Sequence, residues 1–108
     1  MNWHKLTDVS QIETIKLESE NQAILVYKHS TRCSISATAL SRLERSWKSE
    51  KIKPYFLDLL SYGDISQKIA EAFKVEHQSP QVLLIKNGQS IYDASHLAIS
   101  FDEIINNA

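Results

Sequence analysis

Apolar residues follow two different spacings along this chain, and each change of spacing marks a new element. Residues 23–28 form a mostly apolar run with β-branched members, which is typical of a strand buried on both faces. Residues 53–59 form a second run of this kind. Residues 81–86 and 89–93 flank Asn87-Gly88, the strongest short-range signal for a β-hairpin. The sequence therefore predicts four strands, the last two antiparallel.

Helical spacing appears between these runs. We predict helices after a Thr7-Asp8 cap, from residue 34 to about 49, and over 61–75. A last helix follows Ser100, which forms a capping box with Glu103. The inward stripe of the second helix is predicted to be Ile35, Ala39, Leu40, Leu43 and Trp47. This order of elements predicts an α/β fold in which a four-stranded mixed sheet carries helices on both faces, and its first two strands are parallel.

Length and charge narrow the functional classes. The 108 residues predict a single domain, 1–108, and the 43% of apolar residues are ordinary for a globular protein. A net charge of −1 gives no general attraction to nucleic acid or acidic membranes. We find no secretory signal and no apolar stretch of about 18 residues. We therefore expect a cytoplasmic protein with no nucleic-acid or membrane partner.

Cys33 is the only cysteine, and it lies where the first buried strand gives way to the second predicted helix. Unpaired N–H groups in a first helical turn, together with the helix dipole, favour a thiolate over a thiol. Cysteines in such places have pKa values of roughly 3.5 to 7.5. Arg32 adds a permanent cation beside the sulfur, although a solvated surface charge is an equal alternative for it. We expect Cys33 to be exposed and reactive.

The combined pattern resembles the thioredoxin fold over nearly the whole chain. An apolar strand ends at a cysteine that opens a helix, a proline precedes the penultimate strand, and a Lys-Asn-Gly hairpin leads to a capped last helix. The resemblance implies that Pro80, preceded by Ser79, is a cis proline lying against the active cysteine. It also implies that Ser79, Pro80 and the nearby His77 line the substrate cleft. Thioredoxins carry a buried aspartate where this chain has Tyr27.

Within that superfamily, residues 29–36, His-Ser-Thr-Arg-Cys-Ser-Ile-Ser, are similar to the monothiol bacilliredoxins, the YtxJ-like redoxins linked to bacillithiol. That group typically has Thr-Cys-Pro-Ile-Ser. Here Arg32 replaces the threonine and Ser34 replaces the proline, so these two residues could modulate the site. The resemblance implies that Cys33 attacks a mixed disulfide between a client protein and a small thiol, and frees the client. It implies bacillithiol as co-substrate and no bound cofactor.

Position 36 is a serine where dithiol redoxins have a resolving cysteine. A second small thiol or another redoxin would therefore have to release the thiol held on Cys33. Ser36 can serve in either of two ways: its hydroxyl can cap backbone groups, or it can hydrogen-bond to the sulfur. His29 and Cys33 are four residues apart, but this spacing precedes the helix, and a structural zinc site wants four ligands. We expect no metal, and we expect His4 and His96 at the surface.

Two other functions remain open. A monothiol glutaredoxin would hold an iron-sulfur cluster with glutathione through Cys-Gly-Phe-Ser, but Ser34 and Ile35 replace its glycine and phenylalanine. A thioredoxin-like module could instead hold an extended peptide in the groove around Cys33, Ser79 and Pro80 without chemistry. Slow alkylation of the thiol would favour that module.

Overall fold

A computed structural model describes residues 1–108 and contains one five-stranded sheet with helices on both faces. The strands are β1 (His4–Lys5), β2 (Ala23–His29), β3 (Ile52–Asp58), β4 (Gln81–Lys86) and β5 (Gln89–Ser95). The helices are α1 (Gln11–Glu18), α2 (Ser34–Ser46), α3 (Gly63–Phe73) and α4 (Phe101–Asn107), with a 3₁₀ turn at His96–Ala98. The strand order is β1-β3-β2-β4-β5.

Strand β2 lies at the centre of the sheet, as its apolar run predicts. It pairs parallel with β3 and antiparallel with β4. The predicted hairpin is confirmed, because β4 and β5 pair antiparallel through Asn87 and Gly88. These two residues have φ values of 52° and 75°, the left-handed backbone that a tight hairpin turn of this kind requires.

The prediction of four strands was wrong by one. The added strand β1 is two residues long and pairs parallel with β3, His4 opposite Tyr55 and Lys5 opposite Phe56. Two exposed polar residues carry no alternation that a sequence pattern could reveal. The pairing covers part of the outer edge of β3, whose backbone groups there would otherwise be unpaired.

Successive residues of β2 point to opposite sides of the sheet and fill two separate cores. Ile24 and Val26 pack with residues of α1 and α3. Leu25 and Tyr27 pack with residues of α2 and α4. All four are fully buried. Both faces of the sheet are therefore covered by helices.

Several helix boundaries differ from their predicted positions. Helix α1 starts at Gln11 with Ser10 as its cap, while Asp8 accepts a hydrogen bond from the Ser10 N–H at 2.8 Å. Helix α2 ends at Ser46, since Trp47 already has an extended backbone with ψ of 122°. Helix α3 is shorter at both ends than the predicted 61–75. Local pattern does not resolve ends to within a turn.

Two side chains also differ from their predicted roles. The inward stripe of α2 is predicted to include Ile35, but this residue is 40% exposed because it lies in the first turn, beyond the edge of the sheet. Ser100 is the N-cap of α4, as predicted, yet its hydroxyl makes no capping hydrogen bond. The capping box is therefore present in sequence only.

None of the helices combines the length and apolar character needed to cross a bilayer.

Candidate functional site

The loops at one end of the sheet bring the predicted site residues together. Strand β2 ends at His29 and β3 ends beside it at Asp58. Strand β4 starts at this same end, because Lys28 pairs with Gln81 in the antiparallel register. The Ser79–Pro80 segment therefore lies beside the His29–Ser30 segment that leads to Cys33.

Cys33 is the N-cap of α2, with an extended backbone at φ −109° and ψ 115°. Its N–H donates to the Ser30 carbonyl at 3.2 Å, and its own carbonyl accepts the N–H of Ser36 at 3.1 Å. The side chain is half-buried and the thiol is free. The N–H groups of Ser34 and Ile35 have no hydrogen-bond partner in the protein, so they remain available at the helix N-terminus.

Arg32 and Ser34 flank the cysteine on the outside. Both are exposed, and Arg32 forms no ion pair, so its guanidinium is free to meet a substrate. Ser34 occupies the first helical position, where a proline is readily accommodated because the N–H is unpaired in any case. Its hydroxyl makes no hydrogen bond, although its carbonyl accepts the Thr38 hydroxyl at 3.1 Å.

Ser36 is fully buried in the first turn of α2. Its Oγ accepts the backbone N–H of Ser30 at 3.1 Å and lies 2.7 Å from Nδ1 of His29. No hydrogen bond joins this hydroxyl to the sulfur of Cys33. Of the two roles considered for Ser36, the structure shows the backbone contact.

Tyr27, on the central strand β2, contacts this turn of α2. Its hydroxyl donates to the Ser36 carbonyl at 2.9 Å, and its ring stacks on Phe56 with centroids 6.3 Å apart. Burial raises the pKa of Tyr27 to about 12; its hydrogen bond to Ser36 lowers it, while nearby Cys33 and Glu44 add smaller increases. The phenol is therefore a neutral hydrogen-bond donor at the position where thioredoxins carry a buried carboxylate.

The Ser79–Pro80 peptide is cis, as predicted, and Pro80 is buried. The Oγ of Ser79 is buried and has no hydrogen-bond partner in the protein. The Pro80 carbonyl accepts the backbone N–H of His96 at 3.0 Å. His96 is exposed, as expected, but it is also held in a left-handed backbone with φ of 56° beside the proline. Sequence reasoning does not bring it to the site.

His77 lies in the loop before Pro80, and its Nδ1 faces inward. It is 3.3 Å from Nζ of Lys28 and 3.2 Å from Oγ of Ser66. Burial and the Lys28 charge both lower the pKa of His77. The ring is exposed, so the edge opposite Nδ1 is the part available to a substrate.

Lys28 is the most unusual group near this end of the sheet. Its side chain is fully buried, and its ammonium group has no carboxylate partner. Besides Nδ1 of His77, the hydrogen-bond partner of this group is the Ser66 carbonyl at 3.5 Å. Burial lowers the pKa of Lys28 to about 8. Buried lysines without a counter-charge are rare because desolvation disfavours the ammonium form.

No three histidine, cysteine, aspartate or glutamate side chains lie close enough together to hold a metal ion.

A model of the monothiol bacilliredoxin family, BrxC, matches residues 4–104 of this sequence. The chain belongs to this family. Cys33 is the only thiol with which a bacilliredoxin of this sequence could act.

Solved structures agree with that assignment at the level of the fold. A proposed oxidoreductase with a thioredoxin fold has a TM-score of 0.82 and 29% identity, over 95% of this chain and 90% of that one. Thioredoxin from Malassezia sympodialis, Mala s 13, has a TM-score of 0.78 at 14% identity, over 98% and 90%. Fasciola hepatica thioredoxin has a TM-score of 0.73 at 17% identity, over 97% and 99%. This bacilliredoxin is therefore a thiol redox protein with a thioredoxin-like fold.

Two further residues of the site escape the sequence analysis. The sequence analysis considers His29 only as a metal ligand and argues against that role, whereas the structure places its Nδ1 beside the Ser36 hydroxyl. Lys28 interrupts a strand that is predicted to be buried on both faces, and a charged residue inside such a run is the available signal.

Proposed function

We propose that this bacilliredoxin removes a low-molecular-weight thiol, bacillithiol, from protein mixed disulfides through Cys33. The observation that carries the proposal is the placement of a single, half-exposed thiol at the N-cap of α2. The free N–H groups of Ser34 and Ile35 at that place are available as hydrogen-bond donors to a group that reacts with the sulfur.

The exchange proceeds in two balanced steps. The Cys33 thiolate attacks the small-thiol sulfur of a client mixed disulfide, so that a new disulfide joins Cys33 to the small thiol. The client leaves as a thiolate and takes a proton from solvent. A second small-thiol thiolate then attacks the small-thiol sulfur on Cys33. This step yields the symmetric small-thiol disulfide and restores the Cys33 thiolate.

Ser36 supports the proposal because it offers no internal route for the second step. A buried hydroxyl replaces the thiol that would resolve the adduct. The regenerating partner must therefore be a second small thiol or another redoxin.

Three neighbouring residues are proposed to contact the substrate. The buried hydroxyl of Ser79 has no partner in the protein, and such groups usually find one. A backbone or polar atom of the bound disulfide beside cis-Pro80 would satisfy it. The unpaired guanidinium of Arg32 would meet an anionic group, and the outer edge of His77 would line the same cleft.

Mass spectrometry after incubation with bacillithiol disulfide tests the proposal, with glutathione disulfide in parallel. We expect a single adduct that forms faster with bacillithiol and is absent from Cys33→Ala and Cys33→Ser. A second arm uses a client protein carrying a bacillithiol mixed disulfide, from which the wild-type protein should take the small thiol. Absence of any adduct or transfer would contradict the proposal and favour a non-catalytic peptide-binding module.

A further inference from the structure

The hydroxyl of Ser36 links helix α2 to the end of strand β2 and to the loop before Cys33. We call residues 30–36, which carry Cys33, the active turn. The Oγ of Ser36 meets the Ser30 N–H at 3.1 Å and the His29 Nδ1 at 2.7 Å. The Ser30 carbonyl in turn accepts the Cys33 N–H, and the Cys33 carbonyl accepts the Ser36 N–H. These bonds form a closed circuit around Cys33, so the position of the cysteine depends on the Ser36 hydroxyl.

Counting hydrogens fixes the state of His29. The Ser30 N–H can only donate, so its bond uses one of the two lone pairs of the Ser36 oxygen. Nδ1 of His29 is the one acceptor within hydrogen-bond distance of the hydroxyl. The buried hydroxyl hydrogen is therefore satisfied only when Nδ1 accepts it. His29 is therefore neutral in this arrangement and carries its proton on Nε2.

Protonation of His29 is unfavourable for this circuit. A protonated Nδ1 would point a second donor at the Ser36 oxygen, and the hydroxyl hydrogen would have no acceptor in a fully buried place. The unsatisfied donor destabilises this arrangement and favours one in which the contacts of Ser36 change. Burial lowers the pKa of His29, and the carboxylates of Asp58 and Glu44 oppose that shift.

Besides the reacting thiol of Cys33, whose ionisation the test below corrects for, the titratable groups near His29 are two carboxylates and one phenol. Asp58 lies opposite on β3, Glu44 lies on α2, and the phenol of Tyr27 stays neutral in the same range. The ring also packs 5.4 Å from the ring centroid of Phe56, which restricts its rotation.

We propose that His29 and Ser36 are positioning residues for Cys33, and that thiol exchange at Cys33 requires neutral His29. Protonating His29 opens the Ser30–Ser36 circuit and slows the reaction of the thiolate. The proposal rests on Cys33 being the reacting thiol, but not on the identity of the small thiol.

The test measures alkylation of Cys33 by iodoacetamide between about pH 5 and 9. Each rate is divided by the thiolate fraction, which is measured in the same sample by ultraviolet absorbance. The variants are Ser36→Ala and His29→Asn, whose amide oxygen supplies a non-titrating acceptor near the Nδ1 position. His4→Gln is the matched control, because His4 is exposed on the outer strand β1.

For the wild-type protein, we expect the rate per thiolate to fall about threefold to tenfold on acidification, the equivalent of one hydrogen bond. The midpoint should equal the His29 pKa measured by NMR. His29→Asn should keep the high rate and lose this inflection, and Ser36→Ala should be slow at every pH. The His4→Gln profile should match the wild type.

A flat wild-type rate per thiolate across the His29 titration would overturn the proposal, as would an inflection that persists in His29→Asn. NMR of wild-type His29 gives a further check that needs no variant: a proton on Nδ1 rather than Nε2 near neutral pH would also overturn it. Alkylation requires neither bacillithiol nor a client. Failure of this test is therefore distinguishable from failure of the proposed activity.

Discussion

The Tyr27 hydroxyl donates a 2.9 Å hydrogen bond to the Ser36 carbonyl and so joins the central strand to the first turn of α2. Both residues are fully buried, so neither group can exchange this contact for water. The turn that carries Cys33 is thereby joined to the buried central strand of the sheet.

Replacing Tyr27 by phenylalanine keeps the ring stacked on Phe56 and removes only this bond. We expect Tyr27→Phe to lower the free energy of unfolding by about 1 kcal/mol, because a buried carbonyl loses a donor. Urea denaturation measures the change. Tyr92→Phe is the control, since the Tyr92 hydroxyl makes no hydrogen bond; equal effects of the two substitutions would contradict the prediction.

Lys28 should make stability rise with pH. Its folded pKa of about 8 lies below the ordinary 10.5, so the folded state disfavours the ammonium form. The resulting penalty is complete below pH 8 and disappears as the pH rises to 10.5. Lys28→Met, which keeps the shape and removes the charge, should therefore be more stable than wild type near neutral pH.

Removal of the desolvation penalty should raise the free energy of unfolding by an amount of the order of 3 kcal/mol. The observed gain should be smaller, because methionine cannot replace the polar interactions of Lys28 with His77 and Ser66. Denaturation at several pH values between about 7 and 10 measures it, and the difference between Lys28→Met and wild type should shrink as pH rises. Exposed Lys51→Met should show no such trend. A difference that is constant with pH would mean that Lys28 titrates normally.

Ser34→Pro should fold and gain stability. Position 34 is the first residue of α2 and its N–H has no partner, so proline removes no hydrogen bond. The extended backbone of Cys33, at φ −109° and ψ 115°, is the conformation that a following proline favours. We expect a gain of about 0.4 to 1 kcal/mol from the restricted unfolded chain.

Thermal and urea unfolding measure this gain. Thr38→Pro, inside the same helix, is the opposing control and should cost about 3 kcal/mol. The proline also removes one free N–H from the helix N-terminus, so Cys33 alkylation should slow modestly. Loss of the native fold in Ser34→Pro would show that this turn is not as described.

Glu18, the last residue of α1, binds two side chains of β3. It forms an ion pair with Lys53 and accepts the Tyr55 hydroxyl at 2.5 Å. Burial raises the pKa of Glu18, but the hydrogen bonds from Lys53 and Tyr55 outweigh it and the net shift is downward. Its stabilisation is therefore present above the unfolded pKa and is lost as pH falls through the folded one.

We expect Glu18→Gln to lower the free energy of unfolding by about 1 kcal/mol near neutral pH. In acid, the stability of the variant should approach that of the wild type. Chemical denaturation at neutral and acidic pH measures the difference. Glu13→Gln removes a carboxylate that is 77% exposed and pairs with Lys16 at 3.5 Å, so it should change little. A Glu18 effect independent of pH would exclude a contribution from its charge.

Ser79→Ala separates stability from function. The hydroxyl is buried without a partner, so its removal should leave stability unchanged or slightly higher. If it contacts the bound disulfide as proposed, transfer from a client mixed disulfide should slow severalfold while Cys33 alkylation stays constant. Ser100→Ala, which removes a hydroxyl that makes no capping bond, is the control. Unchanged transfer would remove Ser79 from the substrate site.

Much of this molecule follows from local pattern. The buried run of β2 and the Asn87-Gly88 turn appear at their predicted positions. These two features depend on hydrophobic continuity and on the backbone preferences of asparagine and glycine. The cis peptide at Pro80 was implied by the resemblance to thioredoxins and not by local pattern. Strand β1 could not be predicted, because its backbone pairs with β3 and its side chains carry no signal.

The site was harder to predict than the fold. Cys33 stands out by its uniqueness, but the partners of Ser36 are set by a tyrosine and a histidine on the preceding strand. Their approach depends on how α2 packs against β2. Such contacts are properties of the assembled tertiary structure. His96, by contrast, reaches Pro80 by continuing the ladder of the predicted β4–β5 hairpin, in which Gln81 lies opposite Ser95.

The buried hydroxyl at position 36 also limits how this chain could evolve. A cysteine there would provide a resolving thiol, yet sulfur is a weak acceptor for the Ser30 N–H and a weak donor to His29. The same substitution would thus add a second reactive group and loosen the first. A working second cysteine at this position would therefore also require a change at His29.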